Sequence, residues 1–503
     1  MSLLQWKIET KEGASFEGEL DTFTGGEIRI VQEMPKGSIK SVTAETFVQL
    51  TDEGRIFMNG YQSWTYVPER LPSDRIRGLL LMHQALVDKY FFDRYGDYHF
   101  VEYPFRRGVT HGFSWCYFRE GERFQLIASL DERPGYTKFM YDANKQRLYI
   151  ERDCKGVACG GEEGGFHAFD LFIAIGTEQQ VFDAWFKALG IQPRTKEKLA
   201  GYCSWYNRYD NINEASILSD LEGAATLLKK GDVFLIDDGW EDRVGDWNPD
   251  PVKFPNGMKA LADKIREKGF RPGLWIAPFA AEKESAVYKE HPERILLRKG
   301  EQWCCGSNWS GFYALDIDHD DVKKSIEALF HKVFDEWGFE LVKLDFLYAG
   351  APYRTETESR AGKMYRALEW LRDLCGTHPV IGCGVPLFPA FGLFEYCRIG
   401  PDVTLDWDDR PFMKLAHRER ASTRHAIGNI ITRRQLDGRA FLSDPDVFFL
   451  RDENIKLNES EKIQLYEACV EYGSVLMTSD DMSTYDDKKR ATYGEIRAAW
   501  EQK

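Results

Sequence analysis

At 503 residues, with 66 basic and 81 acidic side chains and a formal charge of −15, the chain is long enough for one barrel-sized domain plus a smaller one, and its charge argues against nucleic acid as a partner. No Lys/Arg run tracks a phosphate backbone, and no stretch approaches the ~18 uncharged apolar residues of a membrane span. The opening MSLLQWKIETKEG has no apolar signal region, so the expected compartment is the cytoplasm. The 10 cysteines, irregularly spaced with Cys304 and Cys305 adjacent, are expected as free thiols and not as a disulfide framework or zinc site.

From about residue 14 to 185, short alternating runs such as SFEGELDTF, EIRIVQEM, FQLIASL, QRLYIERD and HAFDLFIAIG are separated by turn residues. Period-2 alternation of this kind predicts an antiparallel β-sandwich, interrupted by a helical stretch at 74–95. Near Pro193 a polar connector, GIQPRTKEKLA, divides an N-terminal domain at 1–190 from a second domain at 191–503. Eight strand-like runs follow: 201–205, 233–237, 271–278, 341–346, 379–384, 395–400, 440–444 and 474–479. Helical periodicity lies between most of them, at 213–230, 257–269, 320–337, 357–375, 412–434 and 459–472, with a last helix near 485–501. Strand-then-helix units repeated eight times predict an α/β fold of the (β/α)8 TIM barrel type. A doubly wound open sheet is the alternative, but no Gly-x-Gly-x-x-Gly turn opens the first unit, and GCGVPL lacks the third glycine.

In such a barrel the chemistry belongs at the C-terminal ends of the strands. Those ends carry Trp205 and Tyr206, Asp237 and Asp238, Trp275, Lys343 and Asp345, Cys383, and Arg398 followed by Asp402. Carboxylates that accept from hydroxyls, interleaved with indoles that cover the apolar face of a pyranose, describe a sugar pocket. The chain's 14 tryptophans, many beside Gly or Asp, fit exposed rings in a cleft, although large domains also bury many aromatics. Lys343 and Asp345 are two apart on a strand and share a face. That spacing predicts that Lys343 lowers the pKa of Asp345 and keeps it ionised, as a carboxylate nucleophile requires; a purely structural ion pair is the competing reading. Glycoside chemistry needs a second carboxyl group in a different environment. Asp402, in CRIGPDVTLDWDD, follows a strand and a Gly-Pro turn, with Trp407 nearby to exclude water; Asp406, Asp408 and Asp409 compete for the role.

These stretches carry a family resemblance. NGYQSW (59–64), GYCSWY (201–206), LIDDGWEDRVGDW (235–247), VKLDFLYAGA (342–351), GCGVPLFPAFG (382–392), RIGPD (398–402) and LSDPD (442–446), together with 254–279 and YALDI (313–317), resemble in order the retaining α-galactosidases (melibiases) of glycoside hydrolase family 36, compact bacterial type. The resemblance implies that Asp345 is the nucleophile and Asp402 the acid/base. It further implies that Asp237 and Asp238 hold the galactose 4- and 6-hydroxyls, that Trp205, Tyr206, Trp275, Lys343, Cys383 and Arg398 line the pocket, and that Trp64 reaches its rim from the N-terminal domain. No metal or cofactor is implied, and the implied partner is an α-galactoside oligosaccharide. Retention implies carboxyl groups roughly 5–5.5 Å apart, against ~6.5–9.5 Å for inversion. The family's C-terminal β domain has no expected counterpart here, and the segment 301–316 departs from the family pattern and is expected as a loop before the fourth strand.

Other readings have weaker support. DIDHDDVKKSIE resembles a calcium loop but carries Asp321 where glycine is required, so acidic residues in a first helical turn are expected instead. No His-x-x-x-His or His-Glu-x-x-His spacing supports a metal hydrolase. An α-N-acetylgalactosaminidase or a transglycosidase on the same scaffold remains the functional alternative. A non-catalytic sugar-binding protein would be expected to have lost one of the two carboxylates, and both are present.

Overall fold

The computed structural model describes residues 3–22, 25–161, 164–408 and 417–503. Up to Gly176 the chain is β-rich, and its alternation sets which side chains are buried: in Leu3–Thr10, Leu4, Ile8 and Thr10 are buried while Leu3, Gln5 and Lys7 face solvent. Two antiparallel sheets result. One has the order Ser15–Asp21, Leu3–Thr10, Gly37–Phe47, Arg147–Asp153, Tyr136–Asp142, Val109–Phe113; the other has Gly26–Gln32, Phe166–Gly176, Arg123–Ser129, Trp115–Glu120, Arg55–Met58. Leu4, Ile39, Val42 and Leu148 of the first meet Ile30, Phe118, Ile127 and Leu171 of the second in one buried cluster. The other face of the second sheet, with Phe57, Trp115 and Tyr117, joins the main core through Val181, Phe182, Trp185 and Phe186 of helix Glu178–Leu189. A Thr177/Gln180 capping box starts that helix and left-handed Gly190 ends it.

The helix predicted at 74–95 shrinks to Gln84–Tyr90 and one 3-10 turn, Phe92–Arg94. Leu80, Leu81 and Leu86 are exposed, because a contiguous apolar run does not give a helix a single face to bury.

After the connector, one curled parallel sheet dominates. Its order is Leu442–Asp444, Tyr396–Arg398, Val380–Gly382, Leu341–Leu344, Arg271–Ile276, Val233–Ile236, Leu199–Cys203, Val475–Thr478, Val447–Phe448. Val233–Ile236 is buried at every residue, as expected of a parallel strand covered on both faces. Leu442–Asp444 bonds to Tyr396–Arg398, whereas Val447–Phe448 bonds to Val475–Thr478. Between those two segments stand Pro445, which has no N–H to donate, and Asp446, with φ +82°. The strands are shorter than the apolar runs suggest: the first ends at Cys203, and Trp205 and Tyr206 open a one-turn helix, Trp205–Arg208. Covering helices include Glu214–Ala224, Gly257–Glu267, Asp320–His331, Arg360–Cys375, Thr423–Thr432, Glu459–Tyr472 and Asp487–Glu501. The helix expected at 320–337 turns into a π-helix over Lys332–Glu336, and the one expected at 412–434 begins in 412–416, outside the described residues.

The calcium-like acids are accounted for by helix capping and ion pairing. Asp320 and Asp321 fill the first turn of a helix capped by His319, while Asp318 pairs with Lys363 and Arg366. Among the described residues no group of three or more His, Cys, Asp or Glu could hold a metal ion, and no helix is long and apolar enough to cross a membrane. All ten cysteines are buried.

The segment 301–316, expected as a loop, folds into strands Cys304–Gly306 and Phe312–Ala314 that pair with each other, the second also with Ala280–Glu282. The Asn59–Trp64 loop is pinned to the parallel sheet by Arg433, whose buried guanidinium donates to Asn59 Oδ1 and to the carbonyls of Gln62, Ser63 and Ile399. Burial pulls its pKa down to about 9, because these partners are neutral oxygens. Gly384, at φ +55°, lets this loop approach: a Cβ there would lie 3.0 Å from the Trp64 ring and 2.9 Å from Phe346 N.

Candidate active site

The strand ends surround a cavity of about 270 Å³. Eight of the residues singled out in the sequence line it: Trp64, Trp205, Asp237, Asp238, Trp275, Lys343, Asp345 and Asp402. Tyr206, Cys383 and Arg398 stand behind that lining and bond to residues in or beside it. Trp407 is half-buried, packs against the core and does not line the cavity.

Asp345 follows strand Leu341–Leu344 and is buried. Its Oδ2 accepts from Trp275 Nε1 at 3.1 Å and its Oδ1 from the Phe346 N–H at 2.8 Å. The second bond requires Phe346 to adopt φ +53°, a strained conformation for an aromatic residue that fixes the carboxyl group at the turn. Lys343 is adjacent but is not its ion-pair partner. In the ladder Trp275 stands opposite Lys343, and the ammonium reaches past it to Asp237 Oδ2 at 2.9 Å. The electrostatic expectation is therefore corrected. Burial raises the Asp345 pKa above the ordinary carboxylate value; Lys343 pulls the other way but is outweighed, and Asp402 adds to the rise. Burial would lower the pKa of Lys343, but Asp237 leads the groups that carry it well above the usual value, so it remains an ammonium ion. Cys383 accepts from Trp64 Nε1 at 3.4 Å and hydrogen-bonds to Asp345.

Asp237 and Asp238 end the second parallel strand. Asp237 also accepts from Cys203 Sγ and, through Oδ1, from the Asp238 N–H at 3.0 Å. Asp238 Oδ2 accepts from Trp309 Nε1 at 2.9 Å, a contact made possible by the hairpin within 301–316. Beside Asp238 lies Glu241, a buried carboxyl group that strand-end reasoning overlooked. Burial, then the neighbouring Asp238, push the Glu241 pKa well above normal, while burial lifts Asp238 to about 6 despite hydrogen bonds from Glu241 and Trp309. Of the two, Glu241 is the group whose surroundings favour the protonated form more strongly. Both pKa values are raised in the fold, so the native state binds more protons than the unfolded chain. The stability from this pair is fully present below the unfolded carboxyl pKa and is lost as pH rises through the folded values. Glu241→Gln keeps the donor without the titration. Its Tm should rise relative to wild type by about 1–3 °C between pH 5 and pH 8 in paired thermal melts, and a constant difference across that range would refute the shared-proton account.

Asp402 sits after strand Tyr396–Arg398, with its side chain 37% exposed. Its Oδ1 accepts from Arg398 NH1 at 2.8 Å. Arg398 also donates to Asp446 Oδ1 at 2.9 Å, and Asp446 Oδ2 accepts from the Tyr206 hydroxyl at 2.6 Å and the Val403 N–H at 2.9 Å. Asp446 therefore braces both sides of Asp402. Burial raises its pKa to about 7 against the pull of Arg398, with Asp402 and Asp444 adding to the rise. The dry, indole-covered setting expected for Asp402 is replaced by an arginine-anchored and partly solvated one. Of the competing carboxylates, Asp408 is buried in a pair with Arg420, and neither it nor Asp406 lines the cavity. Asp409 lies outside the described residues.

Apart from Phe346, the rest of the wall comes from three separate segments: Phe92 and Tyr95, Asn308, and His417, Glu419, Arg420 and Ala421. Tyr95 links them, its hydroxyl donating to Asn308 Oδ1 at 2.6 Å while its ring stacks on His417. None of these lies at a strand end, so the strand-end reading could not find them; only LSDPD, which contains Asp446, stood out in the sequence.

The melibiase family profile matches residues 181–366. The chain is 30% identical over 149 residues to an α-galactosidase of Lactobacillus acidophilus, a match that covers 28% of this chain and 20% of that protein. It thus spans about a fifth of the length of this curated relative. In structure it is similar to an α-galactosidase from Thermus thermophilus in complex with p-nitrophenyl α-D-galactopyranoside, with TM-score 0.76 and 26% identity over 95% of this chain and 94% of that one. A family 36 α-galactosidase from Geobacillus stearothermophilus shares the fold at TM-score 0.62 and 12% identity, over 99% of this chain and 75% of the other.

Proposed function

We propose that this chain, a member of the melibiase-type glycoside hydrolases of family 36, is an exo-acting α-galactosidase that releases terminal α-D-galactose by double displacement with retention. The observation that carries the reading is two carboxyl groups in one cavity with different surroundings, Asp345 buried against Trp275 and Asp402 open to solvent and anchored by Arg398. Asp345 attacks the anomeric carbon as the bond to the leaving oxygen breaks, and Asp402 gives that oxygen its proton. Asp402 then takes a proton from water, which attacks the anomeric carbon and releases Asp345. Arg398 holds Oδ1 of Asp402, which leaves Oδ2 to face the leaving group. Asp237 and Asp238 accept from the 4- and 6-hydroxyls, with Lys343 and the Glu241 proton keeping those acceptors in place. This chemistry requires neither metal nor cofactor.

We read the curled sheet as a closed (β/α)8 barrel at 191–503, with the strand interrupted at Pro445 and Asp446 as its seam, and the paired antiparallel sheets as a β-sandwich domain at 1–190. Arg433 and Trp64 link the two. The relatives' complexes with p-nitrophenyl α-D-galactopyranoside, stachyose and raffinose support an α-galactoside as substrate. A relative in Flavonifractor plautii is named as an α-D-galactosamine galactosaminidase. Galactose is favoured here by the Thermus thermophilus relative's complexes with p-nitrophenyl α-D-galactopyranoside and stachyose.

The test compares p-nitrophenyl α-galactoside, α-N-acetylgalactosaminide and α-glucoside, with NMR of the first product. The galactoside should be preferred by about 100-fold or more in kcat/KM, and α-galactose should appear before its β anomer. A β-configured first product would replace retention with inversion.

A further inference from the structure

We propose that Trp309 is a positioning residue for sugar selection: its indole N–H fixes the carboxylate of Asp238, so that the free lone pairs of that group meet one hydroxyl of the bound galactose in a set direction. The proposal rests on the α-galactosidase reading, in which Asp238 accepts from the 4- or the 6-hydroxyl. Asp238 lines the cavity and Trp309 does not, so the indole acts on the substrate through the carboxylate.

Trp309 Nε1 donates to Asp238 Oδ2 at 2.9 Å. An indole nitrogen is a donor only, so the direction of this bond cannot reverse, and a carboxyl group held at one oxygen no longer turns about its own axis. Burial raises the Asp238 pKa to about 6, and the bonds from Glu241 and Trp309 act against that rise, so the indole also favours the ionised acceptor. Trp275 does the same for Asp345, donating to its Oδ2 at 3.1 Å. The two indoles pack together with ring centroids 6.0 Å apart. One orients the carboxylate where the glycosidic bond is cut, and the other orients a carboxylate that holds a distant hydroxyl.

The backbone supports the same reading. Trp309 has φ +55°, a left-handed conformation that a bulky residue keeps only where its surroundings impose it. Its chain neighbours are anchored on both sides. The Ser307 N–H donates to the Tyr95 hydroxyl at 3.2 Å, and that hydroxyl donates to Asn308 Oδ1 at 2.6 Å. Ser310 Oγ donates to Glu282 Oε2 at 2.9 Å, and the Gly311 N–H closes the turn on the Asn308 carbonyl at 2.9 Å. The ring packs against Phe312 and Phe346, with centroids 5.5 Å and 5.2 Å away. Held at both ends and along its ring, the strained turn aims the indole N–H at Asp238.

The experiment measures kcat/KM on p-nitrophenyl α-D-galactopyranoside and on its 4-deoxy and 6-deoxy analogues for wild type, Trp309→Phe and Trp309→His. Phenylalanine keeps an aromatic ring without the donor, whereas histidine places Nε2 where the indole nitrogen stands, in a smaller ring. In Trp309→Phe the parent substrate should lose about 5- to 50-fold, while the analogue that lacks the hydroxyl held by Asp238 should lose no more than about 3-fold. Trp309→His should recover part of the parent-to-analogue ratio. Equal losses on all three substrates overturn the proposal and assign Trp309 to packing alone; no loss on any of them overturns it as well, since Asp238 is then held without the indole. Wild-type turnover of both analogues at the rate of the parent also overturns it, because Asp238 then has no hydroxyl partner. If wild type hydrolyses no α-galactoside, the α-galactosidase reading itself fails, and that outcome is seen before any variant is compared.

Discussion

Asp345→Ala is expected to lower kcat/KM on p-nitrophenyl α-galactoside by on the order of 10^4-fold or more while leaving the protein as stable as wild type or more stable. The activity loss follows from removing the group that forms the covalent intermediate, which no neighbour replaces: Lys343 is committed to Asp237, and Asp402 is held by Arg398. The stability gain follows from the direction of the pKa shift. Burial raises Asp345 above its unfolded value, so its contribution to stability falls as pH rises past the unfolded carboxyl pKa, and at neutral pH the fold carries a carboxylate it disfavours. Alanine removes that cost, and water entering the vacated volume takes over as acceptor for the Phe346 N–H and Trp275 Nε1. Azide fits the vacated volume and can attack the anomeric carbon directly from that face, so the rescued product should be β-galactosyl azide. The measurement is variant kinetics with and without azide, NMR of the product, and Tm at pH 7. Substantial residual activity, or an α-configured azide, would remove Asp345 from the nucleophile role.

The residues that could be read from the sequence share one property: each terminates an apolar run. Asp237, Asp238, Lys343 and Asp345 stand out because a buried parallel strand has no reason to hold a charge except where it opens at its tip. Spacing within a strand tells which face a side chain takes, but not what stands on the next strand. Spacing therefore pairs Lys343 with its sequence neighbour, whereas its ammonium reaches Asp237 on a different strand. Trp407 stands close to Asp402 in sequence yet packs against the core, because proximity in an irregular segment carries no direction. Tyr95, Asn308 and Glu419 gave no signal, because three loops distant in the chain meet only once the β-rich region, the 301–316 hairpin and the parallel sheet are assembled. The same applies at 74–95, where an apolar run suggested a long helix but tertiary packing offered only Val87 a buried place along Gln84–Tyr90.

Asp402→Ala should separate the two chemical steps according to the leaving group. A sugar alkoxide needs its proton as the bond breaks, so turnover of raffinose should fall by about 10^2- to 10^4-fold. A p-nitrophenolate leaves without help, so glycosylation by the aryl substrate should be affected much less, and hydrolysis of the glycosyl-enzyme, now lacking its base, becomes the slow step. Azide needs no base. It should accelerate aryl turnover and, because it intercepts an intermediate already inverted once at Asp345, give α-galactosyl azide, opposite in configuration to the product expected from Asp345→Ala. The substitution should be structurally mild, because Arg398 keeps Asp444 and Asp446 as partners and is not left as an orphaned cation. Equal losses on raffinose and the aryl galactoside, or a β-configured azide product, would show that Asp402 is not the acid/base. The role would then pass to another carboxyl group that lines the cavity.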